Sequence, residues 1–390
     1  MTPFHDWLVG LRRHFHQFPE LAYREEKTAA KIAEVLQGYG LPVRVGIGKT
    51  GVMGVLSAQT PGPTLAVRAD MDALPLDELN EVPYRSRHPG VMHACGHDAN
   101  ITILLGVVRW LVEAQWAEKG AGKVLFIFQP AEEGGAGARA MLESGFLDSE
   151  SVAAIFAGHM RPELTVGQIG FSPDVSNAAS DSISIRLIGR GGHGAQPHQC
   201  VDPIVAGAYL ITELQSIVSR SVSPVDSAVV TLGSFHAGTA SNIIPEVAVL
   251  EGTLRTLKPE VRERALNRLQ DIVRGIELAH GVKAELRTTE GYPLLVNDPH
   301  LVRYVEQQAK DWLGDNAVLR AAPRMGSEDF AFFLQKFPGI LIGLGCSDPE
   351  KGLTHGLHSP HFDMDERVLD LGVRLFTHLL TSYEAHGPNR

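Results

Sequence analysis

The stretch VMHACGHDAN, residues 91–100, places His93, Cys95 and His97 at alternate positions. Polar atoms of this kind are costly in a core unless each has a partner, so the stretch raises two chemistries: a metal site or a thiol nucleophile. Similar groups recur just past apolar runs. LAVRADMDALP carries Asp70 and Asp72, KVLFIFQPAEEGG carries Glu132 and Glu133, AAIFAGHMRP carries His159, and GLHSPHFDMDE carries His358 and His361. Open α/β sheets place their ligands beyond the carboxyl ends of the strands, so these groups are candidates for one site.

The spacing within each motif refines that reading. Neighbouring side chains on a strand face opposite ways, but Pro130 and Gly134–Gly135 bracket the glutamate pair. That predicts an irregular loop in which both carboxylates converge. Adjacent carboxylates repel unless a cation or a proton lies between them. A metal ion resolves the conflict, with one glutamate as ligand and the other as base. Two solvated surface glutamates would be the plainer alternative, and the apolar strand before them argues against it. In HACGHD, a thiolate nucleophile would need a helix N-terminus or a paired imidazole, and both are available. It would leave Glu133, His159 and His358 unexplained, whereas a divalent cation explains all of them. Mixed S, N and O donors suit zinc or another late first-row ion, with manganese and cobalt also accepted.

Other motifs are less decided. GRGGHGAQPHQCVDP leaves His193 unshielded among glycines, which fits a surface turn and a functional histidine equally. GTASNIIPEVAVLEGTLRT puts Asn242 before a strand and Arg255 near its end, where an arginine is ordinarily solvated or salt-bridged. MGSEDFAFF reads as helix N-capping by Ser327 or Asp329.

The elements that must position these residues fall into two textures. Short, uniformly apolar strands alternate with helices up to about residue 180: a helix near the N-terminus, TAAKIAEVLQGYG as a helix, then GVMGVLSAQ and PTLAVRADM as strands divided by a TPGP turn. A helix in NITILLGVVRWLVEAQ, the strand KVLFIFQP and the strand VAAIFAGH follow. This predicts an α/β fold with a mostly parallel central sheet flanked by helices. From Asp181 the strands alternate polar and apolar, in the order strand, helix, strand, strand, helix, strand, which matches a ferredoxin-like α+β unit. The first texture resumes with PHLVRYVEQQAKDWLG, GILIGLG and a C-terminal helix. The expected organisation is therefore a catalytic domain from residues 1–180 and 292–390, with an inserted domain at 181–291.

Bulk properties exclude several classes. A chain of 390 residues exceeds what one core usually organises. Its net charge of −10 is spread without a basic block, so no nucleic-acid partner is expected. No apolar run is long enough to span a bilayer, and the N-terminal stretch lacks the basic-then-apolar order of a signal peptide. The three cysteines, Cys95, Cys200 and Cys346, form no disulfide framework. A cytoplasmic protein without a membrane partner is expected.

Taken in order, RADMDALP, MHACGHD, QPAEEGGAGA, GRGGHGAQPH, SNIIP, GSEDF and LHSPHF resemble the metal-dependent amidohydrolase family of hippuricases, N-acyl-amino-acid hydrolases and plant auxin-conjugate hydrolases. That family is related to aminoacylase and to glutamate-releasing carboxypeptidases, and the resemblance runs along essentially the whole chain. It implies a metallopeptidase-like catalytic domain and an inserted lid that also mediates dimerisation. It implies Cys95, His97, Glu133, His159 and His358 as metal ligands, Glu132 as general base, and Asp72 as the group orienting a ligand. It places His193 in the active site of the neighbouring subunit, and Asn242 and Arg255 on the substrate. The cofactor would be one or two divalent ions per subunit, zinc, manganese, nickel or cobalt. Two departures from the wider superfamily stand out: Asp70 where a histidine ligand is usual, and Cys95 where a bridging carboxylate is usual. The hippuricase branch shares both. A further one is GHMRP, whose Arg161 would shape the substrate pocket.

The resulting expectation is metal-dependent hydrolysis of N-acyl amino acids, hippurate-like or N-acetylated, by a homodimer or a dimer-based oligomer. A dipeptidase or carboxypeptidase shares every catalytic residue and differs only in the acyl pocket. A non-catalytic ligand-binding protein would have no use for the base Glu132. A thiol hydrolase would be inhibited by alkylation of thiols but not by chelators.

Overall fold

The computed structural model describes residues 2–386, which divide into two compact units. The first comprises residues 2–176, 296–322 and 329–386, and the second residues 177–295 and 323–328.

In the first unit an eight-stranded mixed sheet is mostly parallel. Across it run Val43–Ile47, Gly51–Ser57, Ala121–Gln129, Thr60–Asp70, Val152–Thr165, Gly339–Ser347, Ile169–Phe171 and Val318–Arg320. The central strands pair parallel: Thr60–Asp70 with both Ala121–Gln129 and Val152–Thr165, and Val152–Thr165 with Gly339–Ser347. Their side chains are apolar on both faces, and Val124, Leu125, Phe126, Ile127 and Phe128 are all fully buried. Such strands need cover on both sides. On one side the helix His97–Glu113 supplies it and packs in turn against the helices Pro3–Gln17 and Arg367–His386. Because it is enclosed, this helix is apolar nearly all round rather than amphipathic.

Local details differ from the sequence expectation. TPGP is no turn: Thr60–Asp70 is one strand, with a register shift against Ala121–Gln129 between Thr60 and Thr64 that absorbs the prolines. The helix expected to follow Asp98 begins at His97. Gly96 permits this through its left-handed φ of 80°, and a Cβ there would lie 2.5 Å from Met160 Cγ. His159 does not end its strand, which continues to Thr165. Pairing with Thr60–Asp70 stops at Ala157, so His159 lies just past that boundary while Gly343 still pairs with it on the other side. Nor does Asp329 cap the helix that follows it, Ala331–Lys336. Its buried carboxylate accepts from Gln129 at 2.8 Å, Arg68 at 3.1 Å and the Ala138 N–H at 2.9 Å.

The second unit is a four-stranded antiparallel sheet in the order Ala228–Ala237, Val247–Thr256, Ala179–Ile188, Lys283–Glu290. With the helices Pro203–Ser216 and Pro259–His280 between its strands, this is the ferredoxin-like arrangement. Ile183, Ile185 and Leu187 alternate inward from Ala179–Ile188 and pack with Leu210, Leu214, Leu269 and Ile272 of the helices. Arg262 anchors the longer helix through a bidentate pair with buried Asp181 at 2.8 and 2.6 Å. Among the described residues, no helix is long and apolar enough to cross a membrane.

Candidate metal centre

Four segments of the first unit deliver donors to one place. Sγ of Cys95 lies 3.5 Å from Nε2 of His159, and Nε2 of His358 lies 3.1 Å from Oε1 of Glu133. One potential ligand atom each from Cys95, His97 and His159 falls within 4.8 Å of the others. So does one each from Cys95, Glu133 and His358, and one each from His97, Glu132 and Glu133. Cys95 belongs to two of these triads, as a sulfur shared by two ions would. His361, grouped with His358 by sequence, stacks on His355 at 5.2 Å and belongs to none of them.

Hydrogen bonding fixes which imidazole nitrogens are available. Nδ1 of His97 lies 2.8 Å from the carbonyl oxygen of Asp72, and Nδ1 of His159 lies 3.0 Å from that of Met160. A carbonyl only accepts, so both Nδ1 atoms carry a proton, which makes Nε2 the atom that presents a lone pair in the neutral ring. Nε2 of His97 is buried without a hydrogen-bond partner, an arrangement a cation satisfies. The donor set of thiolate, imidazole and carboxylate fits zinc-like divalent ions.

The charge balance points the same way. Burial opposes protonation of His97, but Asp70 and the Cys95 sulfur outweigh it and hold its pKa well above the ordinary histidine value. Hydrogen bonds to Cys95 and Glu133 push His358 up to about 10. At His159 burial, joined by the charges of His97 and Arg161, outweighs Asp70 and pulls the other way, down to about 4. Cys95, Glu133, Asp70 and Asp72 thus crowd acidic groups that call for positive charge.

Two carboxylates beside the cluster have other work. Asp70 accepts from Arg68 at 2.8 Å and Asn100 at 2.7 Å, which occupies both its oxygens with protein donors. Asp72 accepts the backbone N–H of Glu132 at 3.0 Å and of Glu133 at 2.9 Å. Glu25, which the sequence reading did not single out, accepts the adjacent Ala131 N–H at 2.9 Å and the Thr50 hydroxyl at 2.6 Å. Ala131 and His358 both hold left-handed backbone, at φ 53° and 64°. Such strain at non-glycine residues persists where surrounding contacts enforce it.

His193, Asn242 and Arg255 lie in the second unit. The short ribbon of Gly192–His193 with Ile243–Ile244 sets His193 opposite Ile243, and Gly194 N–H donates to the Asn242 carbonyl at 2.8 Å. Arg255, half-buried on Val247–Thr256, donates to the Ser327 hydroxyl. No carboxylate pairs with it among the described residues, and burial lowers its pKa.

A family model described as peptidase family M20/M25/M40 matches residues 66–382. The chain is 39% identical over 362 residues to the N-acetyl-L-cysteine deacetylase of Bacillus subtilis (strain 168), covering 93% of this chain and 84% of that protein. It is 37% identical over 372 residues to thermostable carboxypeptidase 2 of Saccharolobus solfataricus, covering 94% of this chain and 93% of the other. Among solved structures, the YXEP protein of Bacillus subtilis, a dinuclear metal-binding peptidase of the M20 family, superposes with a TM-score of 0.83. It is 33% identical and covers 98% of this chain and 99% of its own.

Proposed function

The chain belongs to peptidase family M20/M25/M40 and is a metal-dependent amide hydrolase, and we propose that its substrates are N-acyl amino acids, cleaved to a carboxylic acid and a free amino acid. The observation carrying this reading is Cys95 shared between two donor triads, with the buried carboxylate of Glu132 beside them. Cys95, His97, Glu133, His159 and His358 would hold one or two divalent ions, zinc, manganese, nickel or cobalt. A cation held there supplies Lewis acidity, which lowers the pKa of water to about 7 and polarises a carbonyl.

The rest is done by side chains of the protein. Glu132 accepts the proton of the attacking water and returns it to the leaving nitrogen, so that a neutral amine departs. Asp72 fixes the backbone from which Glu132 and Glu133 project. His193 donates to the oxyanion of the tetrahedral intermediate, from a neighbouring subunit of a homodimer. Arg255 and Asn242 hold the free carboxylate of the substrate. The positive charge of Arg255, unmatched by any carboxylate among the described residues, supports that role. The three free thiols fit a reducing cytoplasm.

A second reading, removal of C-terminal residues from small peptides, is favoured by the similarity to a carboxypeptidase. It uses the same residues and differs only in the acyl side. A panel of hippurate, N-acetyl amino acids and dipeptides, assayed with added cobalt or manganese, separates the two. The highest kcat/KM should fall on an N-acyl amino acid, and about a tenfold preference for dipeptides would replace the first reading with the second. Equal turnover of substrates whose carboxylate is amidated would remove Arg255 from the binding site.

A further inference from the structure

Arg12 lies on the helix Pro3–Gln17, yet its side chain is fully buried. Its Nε donates to Asp98 at 2.8 Å, one Nη to Asp363 at 3.1 Å and the other to Glu366 at 3.4 Å. Asp98 follows His97 directly, and Asp363 lies in the segment that carries His358. Tyr84 donates to the other oxygen of Asp363 at 2.7 Å, and Asn80 donates to the Phe362 carbonyl at 2.9 Å. Beyond its side-chain contacts with Cys95 and Glu133, His358 has little to hold it in place. Its side chain is about half exposed, its backbone is left-handed, and its own N–H makes one tie, to the Ala94 carbonyl at 2.8 Å.

We propose that Arg12 is a positioning residue for the metal centre: by bridging Asp98 and Asp363 it sets the placement of His358 relative to Cys95 and His97. The guanidinium suits this task because its planar fork binds two carboxylates in fixed directions, which an ammonium does not. The inference rests on the metal-centre reading and goes beyond it, since neither Arg12 nor Asp363 contacts a ligand atom. It also implies asymmetry. Asp363 lies on the segment bearing His358, while Asp98 keeps its own bond to Arg12, so loss of the Asp363 carboxylate should disturb the Cys95–Glu133–His358 triad and spare the Cys95–His97–His159 triad.

Cobalt(II) titration of the full-length protein, followed by calorimetry and by absorbance of the cobalt–thiolate chromophore, tests this. The variants are Asp363→Asn and Arg12→Lys, with His358→Ala marking which binding event belongs to the His358 triad. Asp363→Asn leaves the buried Arg12–Asp98 pair intact, so folding is preserved, and its melting curve checks that directly. The expected result is one cobalt bound as in the unsubstituted protein and one weakened about 10- to 100-fold, matching the event lost in His358→Ala. Arg12→Lys should weaken the same event. Two unchanged binding events in Asp363→Asn, or equal weakening of both, would overturn the proposal. Failure of the unsubstituted protein to bind cobalt would instead overturn the metal reading beneath it.

Discussion

The carboxylate of Asp72 accepts the backbone N–H groups of both Glu132 and Glu133, at 3.0 and 2.9 Å, while its own carbonyl accepts from Nδ1 of His97 at 2.8 Å. One residue therefore sets the tautomer of His97 and the loop that carries the glutamates. The main chain of Asp72 orients the ligand, and its carboxylate, 3.5 Å from the same Nδ1, holds the loop opposite as well. In Asp72→Asn one carboxylate oxygen becomes an amide NH2 facing a buried N–H, at a cost of about 1–3 kcal/mol. Metal affinity should fall about 10- to 100-fold, read by cobalt titration alongside thermal melting. Unchanged affinity would show that the two backbone contacts are dispensable.

Glu132→Gln keeps the size of the side chain and removes its basicity. Metal content should match the unsubstituted protein while kcat falls by about 100-fold or more. Measured turnover within a few-fold of the original would remove Glu132 from proton transfer.

Some of this was legible in the sequence and some was not. The sheet followed from uniformly apolar runs such as KVLFIFQ, since only strands covered on both faces can be so apolar. The places of Asp70 at a strand end and of Glu132 just past one followed from the same runs. His159 shows the limit: its strand goes on to Thr165, and only pairing on one side stops near it. Arg12 was invisible, because an arginine on an amphipathic helix reads as solvated until Asp98 and Asp363 are seen around it. Asp329 read as a cap because an acidic residue before an aromatic run usually is one. Its true partners, Arg68 and Gln129, lie some 200 residues or more away in sequence. Sequence names donors and acceptors, but which atoms of Asp72 face which loop is decided by packing.

His16 gives the fold a dependence on pH. Burial and the neighbouring Arg12 oppose its protonation, but Asp98 and Glu78 outweigh them, so its pKa is raised above the ordinary 6.5. A group with a raised folded-state pKa stabilises the fold fully below its unfolded value, and that contribution is lost as pH rises through the folded value. Relative to the unsubstituted protein, His16→Gln should lose more thermal stability at about pH 6 than at about pH 9. A gap that stays constant or widens with rising pH would contradict a protonated His16.

Placing His193 in the active site of a neighbouring subunit makes complementation possible. His193→Ala and Glu132→Gln proteins, each nearly inactive alone, should regain up to about a quarter of full activity when mixed at equal concentration and allowed to exchange subunits. No recovery in mixtures shown by mass to contain heterodimers would place His193 in its own subunit or outside the mechanism.

Metal depletion tests the central claim most directly: donors gathered around Cys95 bind divalent cations that amide hydrolysis requires. Protein freed of metal by chelation and verified by elemental analysis should lose turnover of its best N-acyl amino acid substrate. Activity should return in proportion to bound cobalt, manganese, nickel or zinc, and saturate at no more than two ions per chain. Undiminished turnover by verified metal-free protein would contradict it.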